Sequence, residues 1–215
     1  MEDSLENFDK AIDGTRQVAT NHYAPRVNRE RENFDILDWG DREAQFKRFE
    51  VLSNELDLKD QTLLDIGCGL GDLFAYLKSV NNIPAKYVGT DLVSEMIELA
   101  KEKQPTCEFY CCDVLAENPA TITFDTVFCS GVFNLRTDDN IGFLNYALTA
   151  LEKLTTTNSK IVFNFLHQRT EKQYDHCFYY NPEVVKKMFL NFYSNVKIID
   201  NYLPNDFTIV ATNRL

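Results

Sequence analysis

The chain has 215 residues, of which 44% are hydrophobic, and this is enough to bury the core of one domain but not of two. It carries 22 Lys and Arg residues against 33 Asp and Glu residues, and the resulting net charge of −11 repels nucleic-acid phosphates and anionic membrane surfaces. We therefore expect no nucleic acid and no membrane among its partners, and a monomer and a homodimer both stay open.

The N-terminus is acidic and lacks the apolar segment of a secretory signal, and no apolar run approaches membrane-spanning length. The six cysteines are scattered, which predicts reduced thiols. The histidines at positions 22, 167 and 176 lack helical metal spacing, which predicts no metal site. These features indicate a cytoplasmic protein.

Residues 1–37 are polar, with the apolar positions Leu5, Phe8, Ile12 and Val18 spaced as in an amphipathic helix. Such a segment cannot form a core of its own. It is either a helical lid over the main domain, residues 38–215, or a disordered arm.

From residue 62 onward, strand and helix patterns alternate, which is typical of an α/β protein with a doubly wound sheet and helices on both faces. A helix with Asp41 as its N-cap precedes the first strand. Seven strands are predicted near residues 62–66, 85–90, 107–112, 124–129, 161–165, 195–199 and 207–211. Helices are predicted near residues 71–80, 93–103 and 139–154, and from Pro182 onward.

Residues 63–72 begin as an apolar strand that ends near Asp65. A turn follows, with glycines at positions 67, 69 and 71. Alternating glycines suit a turn pressed against a ligand, although a tight turn without a ligand is the alternative. The glycine spacing differs from the dinucleotide fingerprint, the phosphate-loop lysine is absent, and Asp72 would repel a pyrophosphate. An uncharged or cationic ligand is favoured, and a dinucleotide oxidoreductase is disfavoured.

Acidic residues also end the second and third strands, at Asp91 and Asp113. Ligands of open parallel sheets bind outside the carboxyl ends of the strands, and Asp91 follows the glycines at the spacing of a ribose-binding carboxylate. One such aspartate alone would be interpreted as a helix N-cap. Together with Asp65 and the glycine turn, they predict a nucleoside site.

The chain resembles the class I S-adenosylmethionine-dependent methyltransferases over about residues 38–212. The resemblance rests on four motifs in order, at residues 63–71, 87–92, 112–114 and 124–127. It implies a single Rossmann-like sheet of seven strands, mostly parallel with an antiparallel last strand. It also implies S-adenosylmethionine as cofactor, with S-adenosylhomocysteine as its product.

The same resemblance implies how the chain holds the cofactor. Asp65 and the glycine turn would hold the methionine part, Asp91 the ribose hydroxyls, and Asp113 the adenine amino group. The methionine carboxylate also needs a partner, and Arg48, or less surely Arg42 or Trp39, could supply it from the helix before the first strand. A solvated helix face is the alternative for Arg48. The residues expected to contact the cofactor are Trp39, Arg48, Asp65, Gly67, Cys68, Gly69, Asp91, Leu92, Met96, Asp113, Val114 and Ser130.

Methyl transfer from a sulfonium depends mainly on alignment and desolvation, so no obligatory catalytic residue can be identified. Asn134, His167 and Tyr174 are candidates for contact with the acceptor, as are His22 and Tyr23. His167 is the first choice as a general base, and a hydrogen-bonded loop histidine is the alternative.

The motif Asp/Asn-Pro-Pro-aromatic is absent after the fourth strand, which argues against DNA adenine or a glutamine amide as acceptor. The aromatic loop at residues 174–180 favours a small organic or peptide-like acceptor, methylated on oxygen or nitrogen. Arg136 or Arg169 could bind a carboxylate on it. The alternative function is a regulatory or partner subunit that binds the cofactor without catalysis.

Overall fold

The computed structural model describes residues 2–214, with side chains from Asp13 onward. The side chains of Leu5, Phe8 and Ile12, on which the amphipathic pattern depends, therefore lie outside the described residues. The strands are β1 Thr62–Ile66, β2 Lys86–Asp91, β3 Glu108–Cys111, β4 Phe124–Ser130, β5 Thr155–Leu166, β6 Tyr193–Ile199 and β7 Asp206–Arg214. The helices are α1 Glu2–Tyr23, α2 Asn33–Ile36, α3 Arg42–Glu55, α4 Asp72–Ser79, α5 Ser94–Lys103, α6 Asn140–Leu154 and α7 Pro182–Phe189, with a 3-10 turn at Ala24–Arg26.

The strands form one sheet in the order β3-β2-β1-β4-β5-β7-β6. Strands β1 to β5 pair in parallel, whereas β7 is antiparallel to both of its neighbours, β5 and β6. The predicted fold class is therefore confirmed, including the antiparallel last strand. The order reverses between β1 and β4, and this switch point creates a crevice at the carboxyl ends of the strands.

Hydrophobic side chains cover both faces of the central strands, as expected for parallel strands between helices. On β1, Leu63 packs in a cluster with residues of α3, α4 and α5, whereas Leu64 packs in a second cluster with α6 and α7. The same alternation holds for the pair Val127 and Phe128 on β4. The two layers of helices fix the sheet and hence the positions of the strand ends.

Several elements are longer than predicted, among them strand β5 and helix α1. Strand β5 begins at Thr155, because Thr155 pairs with Phe124 of β4 and Lys160 pairs with Thr126, with an irregularity in the register between the two pairs. Side-chain polarity gave no sign of this pairing. Helix α1 continues to Tyr23, beyond the short helix predicted there.

The segment between α1 and α3 packs against the sheet domain through Ile36, which is buried in a cluster with Leu70, Val93 and Met96. The division of the chain at residue 37 stays a prediction. Asp41 caps α3 as predicted, and its side chain accepts a hydrogen bond from the Ala44 amide at 2.7 Å. Within residues 2–214, no helix combines the length and apolarity that crossing a membrane requires.

Candidate active site

A cavity that opens to solvent lies at the carboxyl ends of β1, β2 and β4, and we call it the strand-end cavity. Ten of the twelve residues predicted to contact the cofactor line it, and Arg48 and Gly69 do not. The ten are Trp39, Asp65, Gly67, Cys68, Asp91, Leu92, Met96, Asp113, Val114 and Ser130.

The glycine turn has a backbone conformation that is strained for any residue with a side chain. Gly67, Gly69 and Gly71 have φ values of +71°, +53° and +77°, in the left-handed region that favours glycine. A Cβ on Gly67 would also overlap Cγ2 of Val132, and one on Gly69 would lie 2.7 Å from Leu37. The missing side chains thus permit close packing within the protein, whereas the sequence had suggested space kept for a ligand.

Asp91 is held by the turn and by the loop that follows β2. Its Oδ2 accepts a hydrogen bond from the Gly69 amide at 2.9 Å, and its Oδ1 accepts one from the Val93 amide at 3.0 Å. Each oxygen keeps a second lone pair that can accept a hydrogen bond from a hydroxyl of a ligand. Burial raises the pKa of this carboxyl above its usual value.

Asp65, at the end of β1, is 3% exposed and accepts a hydrogen bond from the Tyr87 hydroxyl at 2.5 Å. Burial, together with the negative charges of Asp91 and Asp72, raises the pKa of Asp65 to about 7, although the Tyr87 hydrogen bond opposes this. A cation bound beside Asp65 would favour its ionised form. The protonation state of Asp65 would therefore depend on the charge of a bound ligand.

Helix α1 lies over the strand-end cavity. The sequence suggested a lid here and named Tyr23 as a candidate for contact with the acceptor, but it did not identify Thr15, Arg16 or Ala19. Thr15, Arg16, Ala19 and Tyr23 all line the cavity. The spacing of 15, 19 and 23 at intervals of four marks one helical face and was the available signal. Arg16 Nε donates to Asp113 Oδ2 at 2.7 Å, so the carboxylate predicted to bind adenine pairs with this helix.

Arg48 does not offer a free guanidinium to the cavity, contrary to the predicted pairing with a methionine carboxylate. It is 3% exposed, and its Nε and Nη2 donate to the two oxygens of Asp206 at 2.9 and 2.6 Å. Its Nη1 donates to the Ala44 carbonyl at 2.6 Å. The guanidinium stacks 4.2 Å from the ring of Trp39, so Arg48 supports a residue of the cavity wall.

Among the described residues, the cavity lining includes none of the three predicted catalytic residues. Asn134 is buried, and its side-chain oxygen accepts from the Leu166 amide at 3.1 Å. Nδ1 of His167 accepts from the Arg169 amide at 3.0 Å. Tyr174 is 49% exposed. These placements favour the alternative of a hydrogen-bonded loop histidine and give Asn134 a structural role.

The two arginines considered as carboxylate anchors are also engaged elsewhere. Arg136 donates to the carbonyls of Asp175 and Cys177, both at 2.8 Å. Arg169 pairs with Asp200 at 3.0 Å and donates to the Pro204 carbonyl. Neither is among the cavity residues, so neither is placed to anchor an acceptor carboxylate in the strand-end cavity.

The charge of the cavity determines which ligands fit. In the described part of the chain, its lining contains the four aspartates 65, 72, 91 and 113, a single arginine and no lysine. Four carboxylates would repel a diphosphate and attract a cation. The apolar side chains of Leu92, Met96 and Val114 lie beside them. The cavity therefore fits a phosphate-free, cationic nucleoside such as S-adenosylmethionine.

Comparison with known proteins agrees with this description. The family profile of a methyltransferase domain matches residues 63–153. No curated protein sequence matches the chain. Among solved structures, magnesium protoporphyrin IX methyltransferase from Synechocystis PCC 6803 with bound SAH is similar at a TM-score of 0.64 and 14% identity, over 92% of this chain and 99% of that chain.

Two further structures show the same likeness. The N-methyltransferase NodS from Bradyrhizobium japonicum WM9, in complex with S-adenosyl-L-homocysteine, has a TM-score of 0.64 and 14% identity, over 93% of this chain and 98% of that chain. The DhpI-SAH complex has a TM-score of 0.69 and 14% identity, over 93% and 97%. The fold is thus that of the Rossmann-like methyltransferases.

The fold and the profile match point to the same group of proteins. Residues 63–153 match the methyltransferase-domain profile, and the chain has the fold of the class I S-adenosylmethionine-dependent methyltransferases. The family resemblance recognised in the sequence is confirmed.

Proposed function

We propose that the protein methylates an oxygen or nitrogen of a small organic or peptide-like acceptor, with S-adenosylmethionine as methyl donor. The observation that carries the proposal is the fixed carboxylate of Asp91 within a cavity that has four aspartates and no lysine among the described lining residues. The bound cofactor would supply a methyl group attached to a positively charged sulfur. A lone pair of the acceptor would form a bond to the methyl carbon, and the electrons of the methyl–sulfur bond would remain on sulfur.

Polar and apolar residues of the cavity would bind different parts of the cofactor. Asp91 would accept from the ribose hydroxyls, and Leu92, Met96 and Val114 would contact the adenine. Asp65 lies at the end of β1, where a carboxylate would stabilise the cationic methionine end. Arg16 would have to share or release Asp113 before that carboxylate accepts from an adenine amino group.

The acceptor would enter beside the apolar and aromatic part of the lining, which includes Tyr23, Trp39, Leu135 and Phe143. Trp39 is held by its stacking on Arg48 and lies against Gly131, the residue that follows β4. These side chains would exclude water and orient a largely apolar acceptor. No histidine is among the described lining residues, so we expect a nucleophile that needs no strong base.

The name of one solved structure supports a small organic acceptor, magnesium protoporphyrin IX, and the name of another, an N-methyltransferase, supports nitrogen as the methylated atom. A fourth structure contains a protein partner. It is a complex between the Haloferax volcanii Trm112 methyltransferase activator and a putative methyltransferase, with a TM-score of 0.60 and 11% identity.

The test is a binding and transfer assay with the purified full chain and radiolabelled S-adenosylmethionine. We expect saturable binding, and a mass gain of one methylene on a component of small-molecule or peptide extracts. Binding without any methylated component would favour the silent partner subunit. Absence of saturable binding, or displacement by NADH alone, would contradict the proposal. Asp91→Ala serves as the binding-deficient control.

A further inference from the structure

Three side chains from distant parts of the sequence meet beside the strand-end cavity. His22 is in the last turn of α1, Asp38 follows α2, and His176 lies in the loop between β5 and α7. Nε2 of His22 is 3.1 Å and Nε2 of His176 is 3.6 Å from the same oxygen, Oδ2 of Asp38. The three candidate ligand atoms all lie within 4.8 Å of one another.

We propose that His22, Asp38 and His176 form a binding site for one divalent transition-metal ion of the zinc type. Ligand atoms about 2.1 Å from a tetrahedral ion lie about 3.4 Å from one another. The observed separations bracket this value, so small side-chain adjustments would close the site around an ion. The sequence predicted no metal because its histidines lack helical spacing, whereas these ligands come from three separate segments.

The ligand types decide the class of ion. Two imidazole nitrogens and one carboxylate suit zinc and its neighbours in the first transition row, whereas magnesium and calcium prefer oxygen ligands. Three protein ligands leave at least one position for water or for another ligand.

The backbone holds the three ligands from different directions. Asp38 has a φ of +60°, in the left-handed region that residues with a side chain rarely adopt. The His176 carbonyl accepts from the Arg136 amide at 2.8 Å, which ties its loop to the segment after β4. Arg26 lies 3.5 Å from the other oxygen of Asp38 and leaves Oδ2 to the histidines.

The position of the site gives it a consequence for the cavity. Tyr23, Leu37 and Trp39, which neighbour the ligands in sequence, line the strand-end cavity. A bound ion would tie the last turn of α1 to the loop that carries His176. The site would therefore hold the covering helix in place at the rim of the cavity.

The test uses the full chain, without an affinity tag and stripped of metal by a chelator, titrated with Co²⁺ and then with Zn²⁺. We expect one equivalent of Co²⁺ per chain with visible d–d absorption, displacement by Zn²⁺, and a higher melting temperature with Zn²⁺ than with Mg²⁺. His22→Ala, Asp38→Asn and His176→Ala should each lose at least about tenfold in affinity.

Two matched variants serve as controls. His167→Ala removes the remaining histidine of the sequence, and Asp35→Asn removes a carboxylate that pairs with Arg31 on the surface. Both should bind as the native chain does. Circular dichroism monitors folding, and His176 is the safest position because its side chain is exposed.

Three outcomes would overturn the proposal. They are no saturable Co²⁺ or Zn²⁺ binding by the native chain, equal binding by a folded His22→Ala/His176→Ala variant, and a thiolate-to-cobalt charge-transfer band that assigns the ion to cysteines. Because the titration needs neither cofactor nor acceptor, its result is independent of the proposed methyl transfer.

Discussion

The two halves of the strand-end cavity are built in different ways. The half that we propose for the cofactor, called the cofactor half, is lined by residues 65–68, 90–93 and 112–115 at the ends of successive strands, so each short motif stays contiguous in the sequence. The half that we propose for the acceptor, called the acceptor half, combines Tyr23 of α1 with Trp39, Leu135 and Phe143, which are far apart in the chain. Local motifs therefore specify the cofactor half, whereas tertiary packing alone assembles the acceptor half.

The largest expected effect concerns Arg48, which the structure removes from the cofactor half. Arg48→Ala leaves the buried carboxylate of Asp206, 0% exposed, without its partner, so the free energy of unfolding should fall by about 3–5 kcal/mol. Chemical denaturation measures this. Folded Arg48→Ala should keep cofactor affinity within about threefold, because no guanidinium contact to the cofactor is lost.

The double variant Arg48→Met/Asp206→Leu sharpens this test, because replacing both charges with apolar groups should recover much of the lost stability. If Arg48→Ala lowered cofactor affinity without lowering stability, Arg48 would be assigned a direct contact with the cofactor.

The second effect tests the cofactor half directly. Asp91→Ala removes a fixed carboxylate, and two charge-assisted hydrogen bonds to ribose hydroxyls should cost about hundredfold in cofactor affinity. Isothermal titration calorimetry measures the change. Asp139→Ala removes the N-cap of α6, away from the cavity lining, and should lower stability but leave affinity unchanged. Equal affinities of the two variants would contradict the assignment of Asp91.

The contrast between the halves explains what the sequence predicted. Strand periodicity and the strand-end aspartates predicted the sheet and the residues around Asp91, because those signals are local. The pairing of Arg48 with Asp206 spans 158 positions, and no pattern around either residue indicates it. His167 was chosen because it follows a strand end, yet its ring packs against Phe207 with centroids 5.5 Å apart. The sequence does not specify the direction of a loop side chain.

Gly67→Val, the substitution that the glycine pattern suggests first, would be a poor test of the cofactor half. The new side chain would overlap Val132 and would need a φ of +71°. It would therefore destabilise the protein with or without a ligand. Substitutions at carboxylates separate binding from folding more cleanly.

The third effect is a pH dependence that originates at Asp65. Its pKa of about 7 means that the free protein holds a proton there at pH 6, which a cationic ligand must release. Cofactor affinity should therefore rise about tenfold between pH 6 and pH 8, as the carboxyl ionises. Calorimetry in buffers of different ionisation enthalpy should detect the released proton. Asp65→Asn should abolish the rise, whereas Asp139→Asn should keep it.

The raised pKa of Asp65 affects stability in the opposite direction from cofactor affinity as the pH rises. Because the folded state holds this proton above the usual aspartate pKa, the contribution of Asp65 to stability is present at low pH and is lost as the pH rises toward 7. Asp65→Asn should flatten that part of the stability profile. An unchanged profile would show that Asp65 titrates normally.

The smallest expected effect tests how the covering helix α1 joins the two halves. Arg16 is partly exposed and pairs with Asp113, so the ion pair contributes about 0–1 kcal/mol, and Arg16→Ala should raise cofactor affinity by about two- to fivefold as it frees the carboxylate. Arg29→Ala, which breaks an exposed pair with Glu102, is the matched control and should change nothing. A loss of affinity in Arg16→Ala would mean that Arg16 itself holds the cofactor. In that case α1 would belong to the cofactor half, and the boundary between the halves would move to the helix.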